Sequence, residues 1–229
     1  MAEATTTAPV ILSVRDLDVK FNLRGRVLNA IRGISLDLYQ GESLAIVGES
    51  GSGKSVFTKT FMGLLDQNGQ IAGGQILYNG MDLATFTTEK QWREIRGREI
   101  AMVLQDPMTS LNPLKTIGSQ IGEAIAIHQG LRGAALKSKV LECLSDVGIP
   151  DPESRYGQYP HEFSGGMRQR VVIAIAVACR PKILICDEPT TALDVTIQAQ
   201  ILSLLKDLKK KYDLTTIYIT HDLGVVANV

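Results

Sequence analysis

The segment GESGSGKS, residues 48–55, has the residue types and spacing of a phosphate-binding loop. It fits the pattern G-x-x-x-x-G-K-[ST], follows an apolar run and opens a helical pattern, which is the context that this motif requires. Glycines let the backbone turn tightly enough for its N–H groups to converge on phosphate oxygens. Lys54 would reach the terminal phosphates, and the Ser55 hydroxyl would ligate Mg²⁺. The predicted nucleotide-binding residues here are Gly48, Glu49, Ser50, Gly51, Ser52, Gly53, Lys54 and Ser55.

A second segment, ILICDEP at residues 183–189, ends an apolar run with two adjacent carboxylates. Mg²⁺ keeps most of its waters and takes few carboxylates, so Asp187 is the predicted metal-side residue. Glu188 is the predicted catalytic residue, since a carboxylate facing the terminal phosphate can polarise an attacking water. The two segments together predict hydrolysis of a nucleoside triphosphate.

The strands and helices that must position these residues alternate along the chain. Alternating apolar residues at 11–21 and 34–40, with NLRGR between them, predict two antiparallel strands with one solvated face. Near-continuous apolar runs, typical of buried parallel strands, occupy residues 43–48, 182–188 and 215–221. Helical patterns at 53–65 and 196–212 separate them. The pattern predicts an α/β fold with a parallel sheet and an N-terminal antiparallel β subdomain.

Strand signals stop between residues 115 and 180, where three helical patterns follow one another. We therefore expect an α-helical subdomain, residues 115–180, inserted into a sheet core of residues 11–114 and 181–229. Residues 1–10 have neither a basic region nor an apolar region, so we expect a flexible tail rather than a secretion signal.

Composition excludes several classes of protein. The 24 basic residues balance the 24 acidic ones and aromatic residues make up only 5%, which disfavours a nucleic-acid partner. The longest apolar run, residues 171–179, is far shorter than the ~20 residues that span a bilayer. The three cysteines lack metal-ligand spacing and predict buried, reduced thiols.

A second glycine motif, FSGGMRQR at residues 163–170, resembles the signature motif of ATP-binding cassette (ABC) ATPases. The other motifs of that family follow in order: LQDPMTSLNP (104–113) resembles the Q-loop, TALD (191–194) the D-loop and ITHD (219–222) the histidine switch. The resemblance covers residues 11–229 and implies a RecA-like P-loop core. A P-loop kinase or GTPase would explain residues 48–55 but would leave the remaining motifs without a role.

The resemblance also implies roles for single residues. Nucleotide domains of this family pair head to tail, so that the signature motif of one subunit completes the ATP site of the other. Ser164, Gly165 and Gly166 would then bind nucleotide in the partner's site, with Asp194 shaping the interface. Within one chain, Gln105 would contact Mg²⁺ and water, His221 would contact the terminal phosphate, and Phe21 would stack on adenine or serve only as a core aromatic.

The segments YPHEFSGGMRQRV and DEPTTALDVT further resemble D-type ATPase subunits of the oligopeptide, dipeptide and nickel permease group. That resemblance implies an importer subunit at the cytoplasmic face of the cell membrane, beneath two transmembrane permease subunits and fed indirectly by an extracytoplasmic solute-binding protein. Met167, where the common signature has Gln, implies a heterodimer with a second ATPase subunit. Peptides are the expected solutes, with nickel or glutathione-like solutes and a soluble non-transport ATPase as alternatives. Members of the group continue past the helix after His221, so we expect a C-terminal region that this sequence lacks.

Overall fold

The computed structural model describes residues 8–191 and 193–226, and these form two sheets with helices packed against them. The first sheet is antiparallel, with strand order β2-β1-β4-β5, and the second is parallel, with order β3-β8-β7-β6. The strands are β1 (Val10–Leu23), β2 (Arg26–Tyr39), β3 (Ser43–Val47), β4 (Gly69–Tyr78), β5 (Met81–Asp82), β6 (Ile100–Val103), β7 (Ile183–Asp187) and β8 (Thr215–Thr220). The helices are α1 (Lys54–Thr60), α2 (Glu89–Ile95), α3 (Pro107–Ser110), α4 (Ile117–Gln129), α5 (Gly133–Asp146), α6 (Pro152–Arg155), α7 (Gly165–Val177), α8 (Val195–Tyr212) and α9 (Leu223–Val226).

The N-terminal hairpin is longer than the alternating pattern predicts. Its two strands are joined at residues 24–25, where Gly25 has a φ of 72° and allows a two-residue turn. Most of the expected tail, residues 1–7, lies outside the described residues. Val10 already belongs to β1, which pairs with both β2 and β4.

The parallel sheet lies at the centre, between two hydrophobic cores. Leu184 and Cys186 of β7 pack towards the helical region, whereas Ile183 and Ile185 pack towards the antiparallel sheet. This alternation follows from the two-residue period of a strand whose two faces are both covered. All residues of β7 and β8 are buried, whereas β3 is an edge strand of the described sheet and is only half-buried.

The stretch between β6 and β7 contains helices and no strand within the described residues, as the helical patterns predict. Helices α4, α5 and α7 share one core with β7, and α7 contains most of the long apolar run at 171–179, up to Val177. Thr116 caps α4 by accepting a hydrogen bond from the Ser119 backbone N–H. None of the described helices is both long enough and apolar enough to cross a membrane.

The three cysteines are free thiols, in agreement with the sequence. Cys143 and Cys186 are buried and Cys179 is half-buried. Burial raises the pKa of the Cys143 thiol to about 11, which keeps it protonated and unreactive at neutral pH.

Candidate active site

The glycine loop connects the carboxyl end of β3 to the start of α1, as its sequence context predicts. Gly51 and Gly53 have φ values of 79° and 93°, in the left-handed region that favours glycine. A Cβ atom at Gly53 would lie 3.0 Å from the Ala30 carbonyl oxygen, so the loop also needs glycine to pack against β2. Lys54 turns back over the loop, and its Nζ donates to the carbonyl oxygens of Gly48 at 2.8 Å and Glu49 at 2.7 Å.

The Ser55 hydroxyl lies next to the first carboxylate of the 183–189 segment. Its Oγ donates a 3.0 Å hydrogen bond to Oδ1 of Asp187, which ends β7 and is only 6% exposed. Burial raises the pKa of Asp187, and the hydrogen bond from Ser55 only partly offsets this effect. A hydroxyl and a carboxylate oxygen side by side are a donor set that suits Mg²⁺, and a cation there would favour the ionised carboxylate. These two residues therefore fit the predicted metal.

Glu188 follows directly and is held by three side chains. Its Oε2 accepts hydrogen bonds from Nε2 of Gln105 at 3.0 Å and from Oγ1 of Thr191 at 2.9 Å. Its Oε1 lies 3.1 Å from Nδ1 of His221. Burial raises the pKa of Glu188, but the hydrogen bonds from His221 and Thr191 and the nearby charge of Lys54 outweigh burial and hold the pKa below its usual value.

The backbone at Glu188 is unusual as well, because its φ of 46° is rare for a residue with a side chain. The Glu188 backbone N–H donates to the Ile219 carbonyl oxygen of β8 at 2.9 Å. Left-handed residues of this kind cost about 1–3 kcal/mol and persist only where the surrounding structure fixes them. The bend comes directly after the buried strand, and Glu188 lines the same cleft as the glycine loop.

One cleft of about 1010 Å³ contains most of the predicted site residues. Its volume is near the upper end of the range of small-molecule sites, which suits a nucleotide. The predicted residues that line it are Phe21, Glu49, Ser50, Gly51, Ser52, Gly53, Lys54, Ser55, Gln105, Glu188 and His221. Gly48 and Asp187 are not among the lining residues, although each bonds to one that is.

Phe21 lies on β1 and is one of the residues that line the cleft. Its ring packs on Gly69 of β4, where a Cβ atom would lie 2.7 Å from the ring, and it also contacts the core that surrounds β1. The same ring lines the cleft together with Leu23 and Leu28. Phe21 thus has both environments that the sequence left open, a core contact and a surface that faces the cleft.

The signature residues do not line this cleft. Ser164 caps α7, and its Oγ accepts a 3.3 Å hydrogen bond from the Met167 backbone N–H. Asp194 caps α8 in the same way, accepting from the Ile197 backbone N–H at 3.0 Å. The two helix starts are neighbours, because a Cβ atom at Gly166 would lie only 2.8 Å from Cγ2 of Ile197.

The two arginines of the signature segment donate hydrogen bonds to backbone carbonyl oxygens of the helical region. Arg168 Nε donates to the Pro160 carbonyl oxygen at 2.8 Å, and Arg170 Nη1 donates to the Val147 carbonyl oxygen at 2.7 Å. These contacts fix α7 against the segments before it.

Thr191, Asp66 and Asn68 are polar residues of the site that sequence reasoning missed. Thr191 contacts Glu188, while Asp66 and Asn68 line the cleft next to Phe21. Thr191 lies three residues after Glu188, a spacing typical of a side chain that bonds back across a turn, and this signal could have identified it. Asp66 and Asn68 precede the unpredicted strand β4, and no local pattern marks them.

This chain is similar to known proteins in both sequence and fold. The family model described as ABC transporter matches residues 31–191. The chain is 61% identical over 220 residues to the oligopeptide transport ATP-binding protein AmiE of Streptococcus pneumoniae, covering 96% of this chain and 62% of that protein. It is 56% identical over 220 residues to the dipeptide transport ATP-binding protein DppD of Bacillus subtilis, covering 96% of this chain and 65% of the relative. The chain thus spans roughly three fifths of the length of these curated relatives.

Solved structures of other proteins have a similar fold. The dimeric, post-hydrolysis structure of the ATP-binding cassette MJ0796 bound to ADP and Pi superposes with a TM-score of 0.82 at 26% identity, covering 95% of this chain and 90% of that one. The structure of cbiO1 from Clostridium perfringens, part of the ABC transporter complex cbiONQ, has a TM-score of 0.78 at 29% identity, covering 95% and 80%. The fold is that of an ABC ATPase, as the signature motif predicts, and the chain belongs to the ABC transporter family.

Proposed function

We propose that this chain is the ATP-hydrolysing subunit of an ABC importer that takes up peptides across the cytoplasmic membrane. The observation that carries the proposal is the cleft in which Lys54, Gln105, Glu188 and His221 meet beside Asp187. The relatives are named as oligopeptide and dipeptide transport ATP-binding proteins, which supports a peptide as the solute.

Different residues of the chain have different roles in hydrolysis. Lys54 exchanges its two carbonyl partners in the glycine loop for phosphate oxygens, and the loop N–H groups bind the rest of the phosphate chain. Mg²⁺, when bound by Ser55 and Asp187 with Gln105 nearby, supplies positive charge to the phosphate oxygens. Glu188 accepts a proton from the attacking water, for which its depressed pKa keeps it ionised at neutral pH. His221 holds the opposite side of the Glu188 carboxylate and reaches the terminal phosphate.

The site needs a second subunit. Ser164, Gly165 and Gly166 begin α7 away from the cleft, so we expect them to contact ATP bound to a partner, with Asp194 at the interface. MJ0796, which shares the fold, is described as dimeric. Met167 within the signature favours an unlike ATPase partner. The further partners we propose are two transmembrane permease subunits and, indirectly, an extracytoplasmic solute-binding protein, with no nucleic acid.

The Glu188→Gln variant tests the enzymatic part of the proposal. It keeps the shape of the side chain, so ATP binding should stay within about twofold while steady-state hydrolysis falls by at least 100-fold. Glu153→Gln, which removes one carboxylate from the exposed side of α6, is the matched control and should hydrolyse ATP normally. Equal turnover in Glu188→Gln and wild type would remove Glu188 from its proposed role.

The transport part needs a separate experiment. Proteins that co-purify with the tagged chain from membranes should include two permease subunits and a second ATPase. Vesicles reconstituted with that complex and its binding protein should take up a labelled oligopeptide in an ATP-dependent way. Uptake of Ni²⁺ or glutathione instead would support the alternative solutes, and recovery from a soluble complex alone would support a non-transport ATPase.

A further inference from the structure

The turn after β7 carries a hydroxyl that contacts the proposed catalytic carboxylate. The chain leaves β7 at Asp187, bends at Glu188 and closes a turn, in which the Thr191 backbone N–H donates to the Glu188 carbonyl oxygen at 3.3 Å. The side chain of Thr191 donates to the same residue, with Oγ1 2.9 Å from Oε2 of Glu188. Backbone and side chain of one residue thus both bind Glu188.

The three side chains that hold Glu188 come from different parts of the fold. Gln105 follows β6 and His221 follows β8, so each reaches Glu188 from the end of another strand. Thr191 lies only three residues away, inside the turn that Glu188 begins. A change in the position of β6 or β8 can separate Gln105 or His221 from the carboxylate, whereas Thr191 moves with it.

Under the proposed function, on which this inference rests, Gln105 would contact Mg²⁺ and His221 would contact the terminal phosphate once ATP is bound, and both would leave Glu188. Gln105 shares Oε2 with Thr191, so its departure leaves that oxygen to the threonine alone. We propose that Thr191 is a positioning residue for hydrolysis: its hydroxyl keeps the Glu188 carboxylate directed into the cleft while the other two partners engage the nucleotide. The proton of the attacking water passes to Glu188, and Thr191 keeps its own proton throughout.

Conservative variants separate the hydroxyl from the shape of the side chain. Thr191→Val keeps the volume and removes the donor, whereas Thr191→Ser keeps the donor and removes a methyl group. Thr190→Val is the matched control, because it makes the same replacement at the neighbouring residue of the same turn. Thr191 is exposed, so Thr191→Ala can replace the valine variant if that one fails to fold.

The full-length protein is assayed for kcat and KM with ATP, for the Kd of a non-hydrolysable ATP analogue, and for its melting temperature. Thr191→Val should lower kcat about tenfold, the rate equivalent of one hydrogen bond to a charged group. Its KM and the analogue Kd should stay within about twofold, because the hydroxyl is bonded to Glu188 and the variant leaves the glycine loop unchanged. Thr191→Ser should restore kcat to within about threefold of wild type, and Thr190→Val should leave kcat unchanged.

The possible failures are distinguishable. An unchanged kcat in Thr191→Val, a matching loss in Thr190→Val, or a loss of analogue binding in parallel with kcat would each overturn the positioning role while leaving the proposed ATPase intact. A wild-type protein that neither binds the analogue nor hydrolyses ATP would overturn both.

Discussion

The contact between the signature helix α7 and α8 leads to a quantitative prediction at Gly166. Its backbone does not lie in the left-handed region, so alanine fits the local conformation and would by propensity stabilise α7 by up to about 1 kcal/mol. A new Cβ would, however, lie 2.8 Å from Cγ2 of Ile197, closer than carbon atoms pack. That methyl group is attached to the Cβ of Ile197 and cannot swing away freely, so α7 and α8 must separate. Overpacking of this kind costs about 1–3 kcal/mol, which outweighs the gain in propensity.

Gly165 provides the internal control, because a Cβ there would lie 4.0 Å from Leu193, an ordinary contact. Gly165→Ala should therefore keep its gain in propensity, and Gly166→Ala should be less stable than Gly165→Ala by about 1–3 kcal/mol. Each kcal/mol corresponds to ~2–4 °C in melting temperature for a chain of this size. Urea denaturation of the two variants, followed by far-UV circular dichroism, measures the difference. If Gly166→Ala equals or exceeds Gly165→Ala in stability, the close approach of the two helix starts is refuted.

Two further substitutions test the packing and charge contacts that hold the sheets and helices together. Gly63→Ala adds a side chain to a residue with a φ of 58° and places its Cβ 2.2 Å from the Trp92 ring. Because of the backbone strain and the overpacking, the free energy of unfolding should fall by about 2–4 kcal/mol. Trp92 is the single tryptophan of the chain, and its fluorescence should shift to the red; an unshifted spectrum with unchanged stability would contradict the contact. Asp146→Asn removes the carboxylate that joins α5 to Lys211 and Tyr212 at the end of α8. Burial raises the pKa of Asp146, but these two hydrogen bonds and the lysine charge outweigh burial and hold the pKa below its usual value. A carboxylate with a depressed pKa stabilises the fold above its unfolded pKa, and this stabilisation is lost as pH falls through its folded pKa. At pH 7 the variant should therefore have a free energy of unfolding about 1 kcal/mol below that of wild type, and this difference should shrink below about pH 4. Urea denaturation of wild type and variant at pH 7 and below about pH 4 measures this difference in the free energy of unfolding. A difference independent of pH would show that the charge of Asp146 is not involved.

Sequence alone predicted the parts of this molecule that depend on local patterns. The glycine loop, the buried strands β7 and β8 and the helical region each have a periodicity or motif within a single segment. Strand β4 was missed because it contains Gly69, Gly73 and Gly74, which remove the apolar alternation that marks a strand. Strand β6 has only four residues, too few for a period to be recognised. Helix α1 ends at Thr60, five residues before its apolar pattern does, and Gly63 with its positive φ follows that end.

Many of the residues that line the cleft were predicted from the sequence, but their contacts with one another were not. The predicted strands placed Glu188 and His221 at strand ends, where side chains of a parallel sheet converge, whereas Gln105 came only from the family resemblance. That Glu188 is held by all three of Gln105, Thr191 and His221 depends on the register between β6, β7 and β8 and on the left-handed backbone of Glu188. No local pattern encodes this register, because the partners lie up to 83 residues apart.

The internal bonds of the cleft also bear on how ATP and a second subunit would affect one another. Lys54 is already paired with two carbonyl oxygens and Glu188 with three donors, so a nucleotide exchanges existing bonds for new ones, and the net gain within one chain is modest. Under the proposed function, Ser164 and the two glycines after it add contacts to ATP that a single chain cannot make. Binding free energies are reciprocal, so the factor by which a partner subunit tightens ATP binding must equal the factor by which ATP tightens subunit association. Under the proposed function, the signature motif of a partner subunit therefore adds affinity for ATP, and bound ATP strengthens the association of the two subunits by the same factor.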